Sequence, residues 1–286
     1  MRRLAIDAKW FNFIKQGKKR LELQQGPREK WENVKIIEYK ETKNDETCLC
    51  FVYNKPRIFH TLEEIFTTIT WDEMKQVFPE IKHHSEFCRN MPRLEAEQGL
   101  VMMQTTLLPR RPRLLVIGYR GHGKDTVCEL LCNRFGLQFQ SSSLFCAQKV
   151  VRPWLEEKGI FYPSVESCFY DRDKHRPEWF NAISHYTKND RARLAREIFS
   201  KYDIYCGLRN HDEYVAIREE NLCDVAVWID ASKRVTPEPQ ASCTLAKEDA
   251  DFVLDNNGSL TELTTGLSIW FTNWMDKWVF ETETNR

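Results

Sequence analysis

From residue 113 onward the apolar positions fall into short runs, separated by stretches in which apolar residues recur every three or four places. LLVIG (114–118) is apolar throughout, as a strand covered on both faces must be. DTVCELLCNRFG after it keeps helical spacing and ends at Gly136. Four more candidate strands follow, LQFQSS, DIYCGL, VAVWIDA and DFVLDN, near residues 137, 203, 225 and 251. Helical stretches lie between them, including an Arg-rich one from about Asp190 to Tyr202. Strands alternating with helices predict parallel pairing by crossover, hence an α/β three-layer sandwich with a parallel sheet. Ligands of such sheets sit at the carboxyl ends of the strands.

The front of the chain has another rhythm. WFNFIKQG is spaced as an amphipathic helix stopped by Gly17, GKKRLELQ enters a strand, and TCLCFVYN alternates as a strand does. TLEEIFTTITWDEMKQVFP is expected to be helical up to Pro79. From 83 to 112 the charge is mixed, Pro92, Pro109 and Pro112 intervene, and no period is sustained. That pattern predicts a connector with a short helix around Leu94 to Gln98. The expected organisation is a small mixed β domain over 1–82, a linker over 83–112 and the α/β domain over 113–286.

A length of 286 residues admits one large domain or two smaller ones, and the change of pattern favours two. The chain has 42 basic and 42 acidic residues; the first 112 positions lean basic and the rest acidic, too mildly to demand a nucleic-acid partner. MRRLAIDAKW lacks a signal-peptide core and no apolar run approaches membrane-span length, so a soluble, cytoplasmic protein is expected, in a host's cytoplasm if the chain is viral. Ten cysteines without paired spacing read as free thiols. Cys48 and Cys50 with His83, His84 and Cys88 offer zinc-binding residue types, but without the usual C-x-x-C spacing.

GYRGHGKDT (118–126) carries the candidate chemistry. Gly118, Gly123 and Lys124 match the phosphate-loop pattern G-x-x-x-x-G-K-[ST], while Asp125 stands where a hydroxyl is usual and Thr126 follows one place later. Between an apolar strand and a helix, Gly118, Gly121 and Gly123 let backbone amides converge on phosphate oxygens, with Arg120 and His122 between them and Lys124 reaching the terminal phosphates. Asp125 and Thr126 suit a water-mediated magnesium shell, and Asp125 equally suits the first turn of a helix as a dipole partner. Arg172 and Arg176 stand four apart, and Arg193 and Arg196 three apart behind Arg191, so each set lines one helix face. Such faces grip phosphates, or serve as solvated surfaces paired with neighbouring carboxylates.

In its ordered series of GYRGHGKDT, HRPEWFNAI with DRARLAREI, GLRNHDEY, VWIDASKR and DADFVLDNNGSLTEL, the stretch from about Leu114 to Leu263 resembles bacteriophage-type deoxynucleoside monophosphate kinases. These are P-loop relatives of dephospho-coenzyme A kinase. The resemblance implies ATP and Mg2+ as cofactors and a nucleoside monophosphate as phosphoryl acceptor. It implies that the loop amides and Lys124 hold ATP, that Arg176 and Trp179, with Arg172, form the monophosphate pocket, and that Arg191 and Arg193 close a lid. Arg209 is then a substrate-side arginine, and Asn256 and Asn257 run past the adenine. The sequence departs from the family after DIYCG, where Cys206 and Gly207 replace the usual acidic residue.

GKKRLELQ resembles the ASCH signature of the PUA-like fold at Gly17, Lys19 and Glu22, with Gln24 in place of its arginine. That resemblance implies RNA or a modified nucleoside as partner, in a pocket of Trp10, Lys19 and Glu22. The residues read equally as a structural ion pair beside a core tryptophan. The combined expectation is phosphorylation of a deoxynucleoside monophosphate by ATP. The alternatives are a nucleotide-binding regulatory or RNA-binding protein without transfer, or activity like that of dephospho-coenzyme A kinase; a homodimer is compatible with either.

Overall fold

A computed structural model describes the chain except residues 28–29, 32–33, 92–98, 109, 237–242 and 285–286. It divides into two compact units, one of Met1–Arg111, Arg134–Gly136 and Phe271–Arg286, the other of Pro112–Asn133 and Leu137–Trp270.

The first unit is built on a five-stranded mixed sheet. Its strands are β1 (Arg2–Ile6), β2 (Leu21–Gln25), β3 (Ile36–Glu41), β4 (Thr47–Phe59) and β5 (Leu100–Leu108), in the order β1-β3-β4-β5-β2. β1 runs parallel to β3, and the other neighbours are antiparallel. Both faces are covered: Leu100 and Met102 pack with Ile65, Met74 and Phe87, whereas Val101 and Met103 pack with Phe11, Ile37 and Tyr39. The helix Ala8–Lys15 is capped by the Asp7 carboxylate and ends before Gly17, whose φ of 68° is the left-handed turn expected there.

Two expectations for this unit need correction. Residues 83–112 are not simply a connector, because they contain the helix His84–Asn90 and β5, which pairs with both β4 and β2. LVMMQTTLL hides β5, since a strand buried on both faces has no alternation to read. The short helix expected at Leu94 to Gln98 lies outside the described residues. The stretch after Thr61 is two helices, Leu62–Thr68 and Trp71–Val77, not one. Thr70 interrupts it as a second N-cap: its Oγ1 accepts from Glu73 N at 3.2 Å and Glu73 reaches back to Thr70 N, repeating the capping box of Thr61 and Glu64.

The second unit is the predicted three-layer sandwich with a P-loop. β6 (Leu114–Ile117), β7 (Phe139–Ser141), β8 (Ile204–Cys206), β9 (Val225–Asp230) and β10 (Phe252–Asp255) form an all-parallel sheet in the order β10-β9-β6-β8-β7. Each strand begins within a few residues of the place its apolar run indicates. β6 is central and wholly buried between β9 and β8, so the chain leaving its carboxyl end emerges at the middle of the sheet. Leu115 and Ile117 share a core with Ala147, Val151, Leu155, Ile198 and Tyr205. The Arg-rich helix is shorter than expected, spanning Arg193–Phe199. Among the described residues no helix is long and apolar enough to cross a membrane.

Candidate functional site

The loop after β6 has a shape that side chains would destroy. Gly118 has φ 142°, and a Cβ there would lie 2.7 Å from the Ile229 carbonyl oxygen of β9. Gly123 has φ 89°, and a methyl group would collide with the Asn256 amide. Glycine at both ends therefore lets the backbone turn tightly against β9 and the turn after β10 before the helix Lys124–Phe135 begins. Gly121 differs from these two. It is exposed at the loop's crest with φ 80°, and a Cβ there would meet only Val235 Cγ1, at 3.3 Å. Its glycine serves the left-handed turn, not a close approach of backbones. Lys124 Nζ donates to the carbonyls of Gly118 at 2.8 Å and Tyr119 at 2.7 Å, which places the ammonium over the loop. Helix N-terminal amides and a lysine at one concave turn favour a phosphate chain.

Several residues expected at ATP turn out to build this loop. His122 is fully buried; its Nδ1 lies 3.1 Å from Ala231 N and 3.2 Å from the Ile229 carbonyl. The ring protonated on Nε2 accepts from the first, and the ring protonated on Nδ1 donates to the second. Asn256, also buried, donates from Nδ2 to the His122 carbonyl at 2.8 Å and from its backbone to the Asp230 carbonyl at 2.7 Å. Asn257 accepts from Lys233 N at 2.8 Å and donates to Asp255 Oδ1 at 2.5 Å. The side chains of His122, Asn256 and Asn257 thus brace the turns around the loop. A sequence marks proximity to a loop, not the direction in which an amide is already committed.

Asp125 and Thr126 are exposed in the first helical turn, and Asp125 Oδ1 accepts a hydrogen bond from Cys206 Sγ at 3.5 Å. Carboxylate and hydroxyl oxygens suit Mg2+, which keeps most of its water and leans on substrate phosphates. Among the described residues there is no cluster of three or more His, Cys, Asp or Glu able to hold a metal, which also bears on Cys48, Cys50, His83, His84 and Cys88. Magnesium here would lean on Asp125, Thr126 and phosphate oxygens, not on a protein cage. Asp203 is at the opposite end of β8, where its carboxylate accepts from Gln138 N at 2.8 Å, and Asp230 accepts from Ser232 N at 3.0 Å in the turn after β9.

The arginines separate into groups. Arg120 of the loop and Arg176 both approach Asp173, at 3.5 and 3.4 Å, so one carboxylate links the phosphate loop to the start of the helix Arg176–Thr187. Arg172 donates to the Phe169 carbonyl at 3.0 Å and lies over that ring at 4.2 Å. Trp179 is a correction: it is 7% exposed and packs in the core with Ala182, while its neighbour Phe180 is 72% exposed. In WFNAISHY, positions 179, 182, 183 and 186 make the inward stripe, so the tryptophan is a core residue of the helix Arg176–Thr187.

Arg193 stacks on Tyr186 at 3.8 Å and bonds Glu197 at 3.2 Å, and Arg196 pairs with both Asp190 and Glu220. Tyr186, Asp190, Arg193, Arg196 and Glu197, with His185 and Asn189, line an open cavity of about 490 Å³. Arg191 is exposed beside them, and Arg209 is half-buried three residues past β8, where its carbonyl accepts from Thr244 N at 2.9 Å.

Glu213 escaped the sequence reading. It is 8% exposed, accepts from the Tyr205 hydroxyl at 2.7 Å, and burial pushes its carboxyl up to about 7, against the opposing pull of Tyr205 and Arg191. Its place three residues after the cap Asn210, whose Oδ1 accepts from Glu213 N at 3.0 Å, is the pattern of an exposed capping residue. Nothing in NHDEY signals that the side chain turns inward.

In the first unit the expected pocket is closed. Lys19 and Glu22 are 6% and 5% exposed and stand 3.4 Å apart. Lys19 Nζ donates to the carbonyls of Leu21 at 2.9 Å and Val77 at 3.0 Å; Glu22 accepts from Tyr39 at 2.7 Å and Gln24 at 2.6 Å. Trp10 packs on Phe78 with ring centres 5.4 Å apart. A buried pair with its hydrogen bonds filled is structural, which corrects the reading of Trp10, Lys19 and Glu22 as an open binding pocket.

No protein-family model and no curated protein matches the chain. Among solved structures, a shikimate kinase from Aquifex aeolicus is 15% identical, covering 56% of this chain and 96% of that one with a TM-score of 0.33. A gluconokinase from Sinorhizobium meliloti is 13% identical, covering 60% of this chain and 99% of its own, with a TM-score of 0.35. A Pyrococcus furiosus protein solved by NMR is 16% identical, covering 38% of this chain and all of its own at a TM-score of 0.29.

Proposed function

We propose that the second unit is an ATP-dependent phosphotransferase whose acceptor is a deoxynucleoside monophosphate. The observation that carries the reading is the glycine turn at the end of the central strand, closed to side chains at Gly118 and Gly123, with Lys124 Nζ folded onto its carbonyls. A turn of that form is poised to exchange the lysine's carbonyl partners for the phosphates of ATP. Arg120 and Arg176, joined through Asp173, supply guanidinium groups on the side from which an acceptor phosphate would approach. Arg191 and Arg193 stand on the segment expected to close. Magnesium, when bound, neutralises charge on the transferring phosphates.

Little proton chemistry is asked of the protein, because the attacking phosphate oxygen is already an anion. The residues align two nucleotides in line and balance negative charge, which is most of what phosphoryl transfer requires. The test is a panel of deoxy- and ribonucleoside monophosphates incubated with ATP and Mg2+, run beside Lys124→Ala. Diphosphate formation on a deoxynucleotide that falls at least about a hundredfold in the variant supports the reading. Turnover that survives the substitution refutes it. Binding of ATP without conversion of any monophosphate favours a regulatory nucleotide-binding protein, and turnover restricted to dephospho-coenzyme A names that acceptor instead.

A further inference from the structure

We infer that Cys206 is the positioning residue for a magnesium-directed carboxylate that this chain carries at Asp125 instead of at the end of β8; the inference rests on the phosphotransfer reading above. β8 lies beside β6 in parallel register, Cys206 opposite Val116, so its last residue flanks the stem of the phosphate loop. In P-loop enzymes an acid from a neighbouring strand end commonly orders the metal's water shell. Here both positions at that end are closed to one. Cys206 is 2% exposed and lies against the fully buried Cys128, so a carboxylate at 206 would be stripped of water. Gly207 has φ 92°, and a Cβ there would press within 3.2 Å of Ser142 Oγ.

The missing carboxylate reappears across the gap. Asp125 is exposed in the first turn of the helix that follows the loop, and one of its oxygens accepts the Cys206 S–H at 3.5 Å. The type of donor matters: an arginine or lysine would aim the carboxylate and cancel its charge, whereas a neutral thiol aims it and leaves the full negative charge for a cation. Its second oxygen keeps its lone pairs. Asp203 does not compete, since it is at the far end of β8. The departures at 125 and 206 are therefore one exchange: the acid has moved from strand to helix, and a thiol at the old position holds it.

The experiment measures ADP binding by the full chain by calorimetry, with EDTA and across a Mg2+ series, for wild type, Cys206→Ala, Cys206→Ser and Asp125→Asn. Removing one weak hydrogen bond should raise the Mg2+ concentration for half-maximal enhancement about three- to tenfold in Cys206→Ala, with affinity in EDTA unchanged. Cys206→Ser, which keeps a donor, should stay within about twofold, and Cys206→Ala should add nothing when Asp125 is already Asn. An unchanged magnesium dependence in Cys206→Ala, or an equal loss with and without Mg2+, overturns the inference while leaving the proposed function standing. Wild-type protein that binds no ADP at all overturns both. If Cys206→Ala does not fold, the exposed Asp125→Asn decides, because wild-type magnesium dependence in that variant refutes the arrangement.

Discussion

Glu213 should make the protein less stable as the pH rises toward neutral. The side chain is 8% exposed and its carboxyl is pushed up to about 7 from the ordinary 4.5, burial being the largest cause. The folded state therefore holds this proton more tightly than the unfolded chain does. Its stabilising contribution is fully present below about pH 4.5, declines as the pH rises, and is gone above about 7. At roughly 1.4 kcal/mol per pH unit the loss is about 3 kcal/mol. Glu213→Gln removes the ionisation yet leaves an oxygen to accept the Tyr205 hydroxyl, which lies 2.7 Å from the native carboxylate. The variant should unfold at higher urea than wild type at pH 8, by about 2–3 kcal/mol, and the gap should shrink to under about 0.5 kcal/mol near pH 4.5. Arg191 favours the charged carboxylate, so Arg191→Ala should steepen the wild-type pH dependence. Parallel stability curves for wild type and Glu213→Gln from pH 5 to 8 would refute this account, as would a variant weaker than wild type at pH 8.

The other perturbations separate scaffold from site. Gly123→Ala forces φ 89° on an alanine and drives its methyl into Asn256, so it should cost about 1–3 kcal/mol and abolish ATP binding. Gly159→Ala, at φ 78° with open space around it, should cost about 1 kcal/mol and leave binding intact, a contrast readable by thermal melting with and without ATP. Lys19→Met strands the Glu22 charge in the first unit's core and should cost about 3–5 kcal/mol, most of it recovered when Glu22→Gln is added. Thr70→Ala removes the cap of the helix Trp71–Val77 and should lower stability by about 1 kcal/mol in urea unfolding, without altering turnover.

How far the fold could be read from sequence depended on which faces of each strand are buried and what bounds it. Four of the five parallel strands were legible because each is a short apolar run bounded by polar or glycine residues, and Gly118 and Gly136 punctuate the first strand and its helix. β5 was not, because Leu100 to Met103 face cores on both sides and so carry no period, with threonines and a glutamine where a β-branched apolar run would have given it away. The second helix after Thr61 was hidden differently: a continuous helical rhythm spans Ile69 and Thr70, and only Glu73 three places on reveals that Thr70 begins a new element.

The site divides along the same physical line between backbone and side chain. Where function depends on backbone shape, as at Gly118 and Gly123, residue type alone is nearly decisive, because few other residues tolerate those dihedrals and none of them fits the space. Where it depends on which way a polar side chain turns, residue type says little. Asn256 and His122 are marked by sequence only as neighbours of the loop, yet their side chains hydrogen-bond into the turns around it; Lys19 and Glu22 look like an acid–base pair and are sealed in a core. Glu213 is the converse, a residue with the spacing of an ordinary cap whose carboxylate is one of the most strongly perturbed groups near the sheet. Asp125 and Cys206 stand 81 residues apart, and each alone reads as a departure from the usual phosphate-loop pattern. Only the parallel register of β6 with β8 brings them together, and their hydrogen bond then relates two departures that sequence order keeps separate.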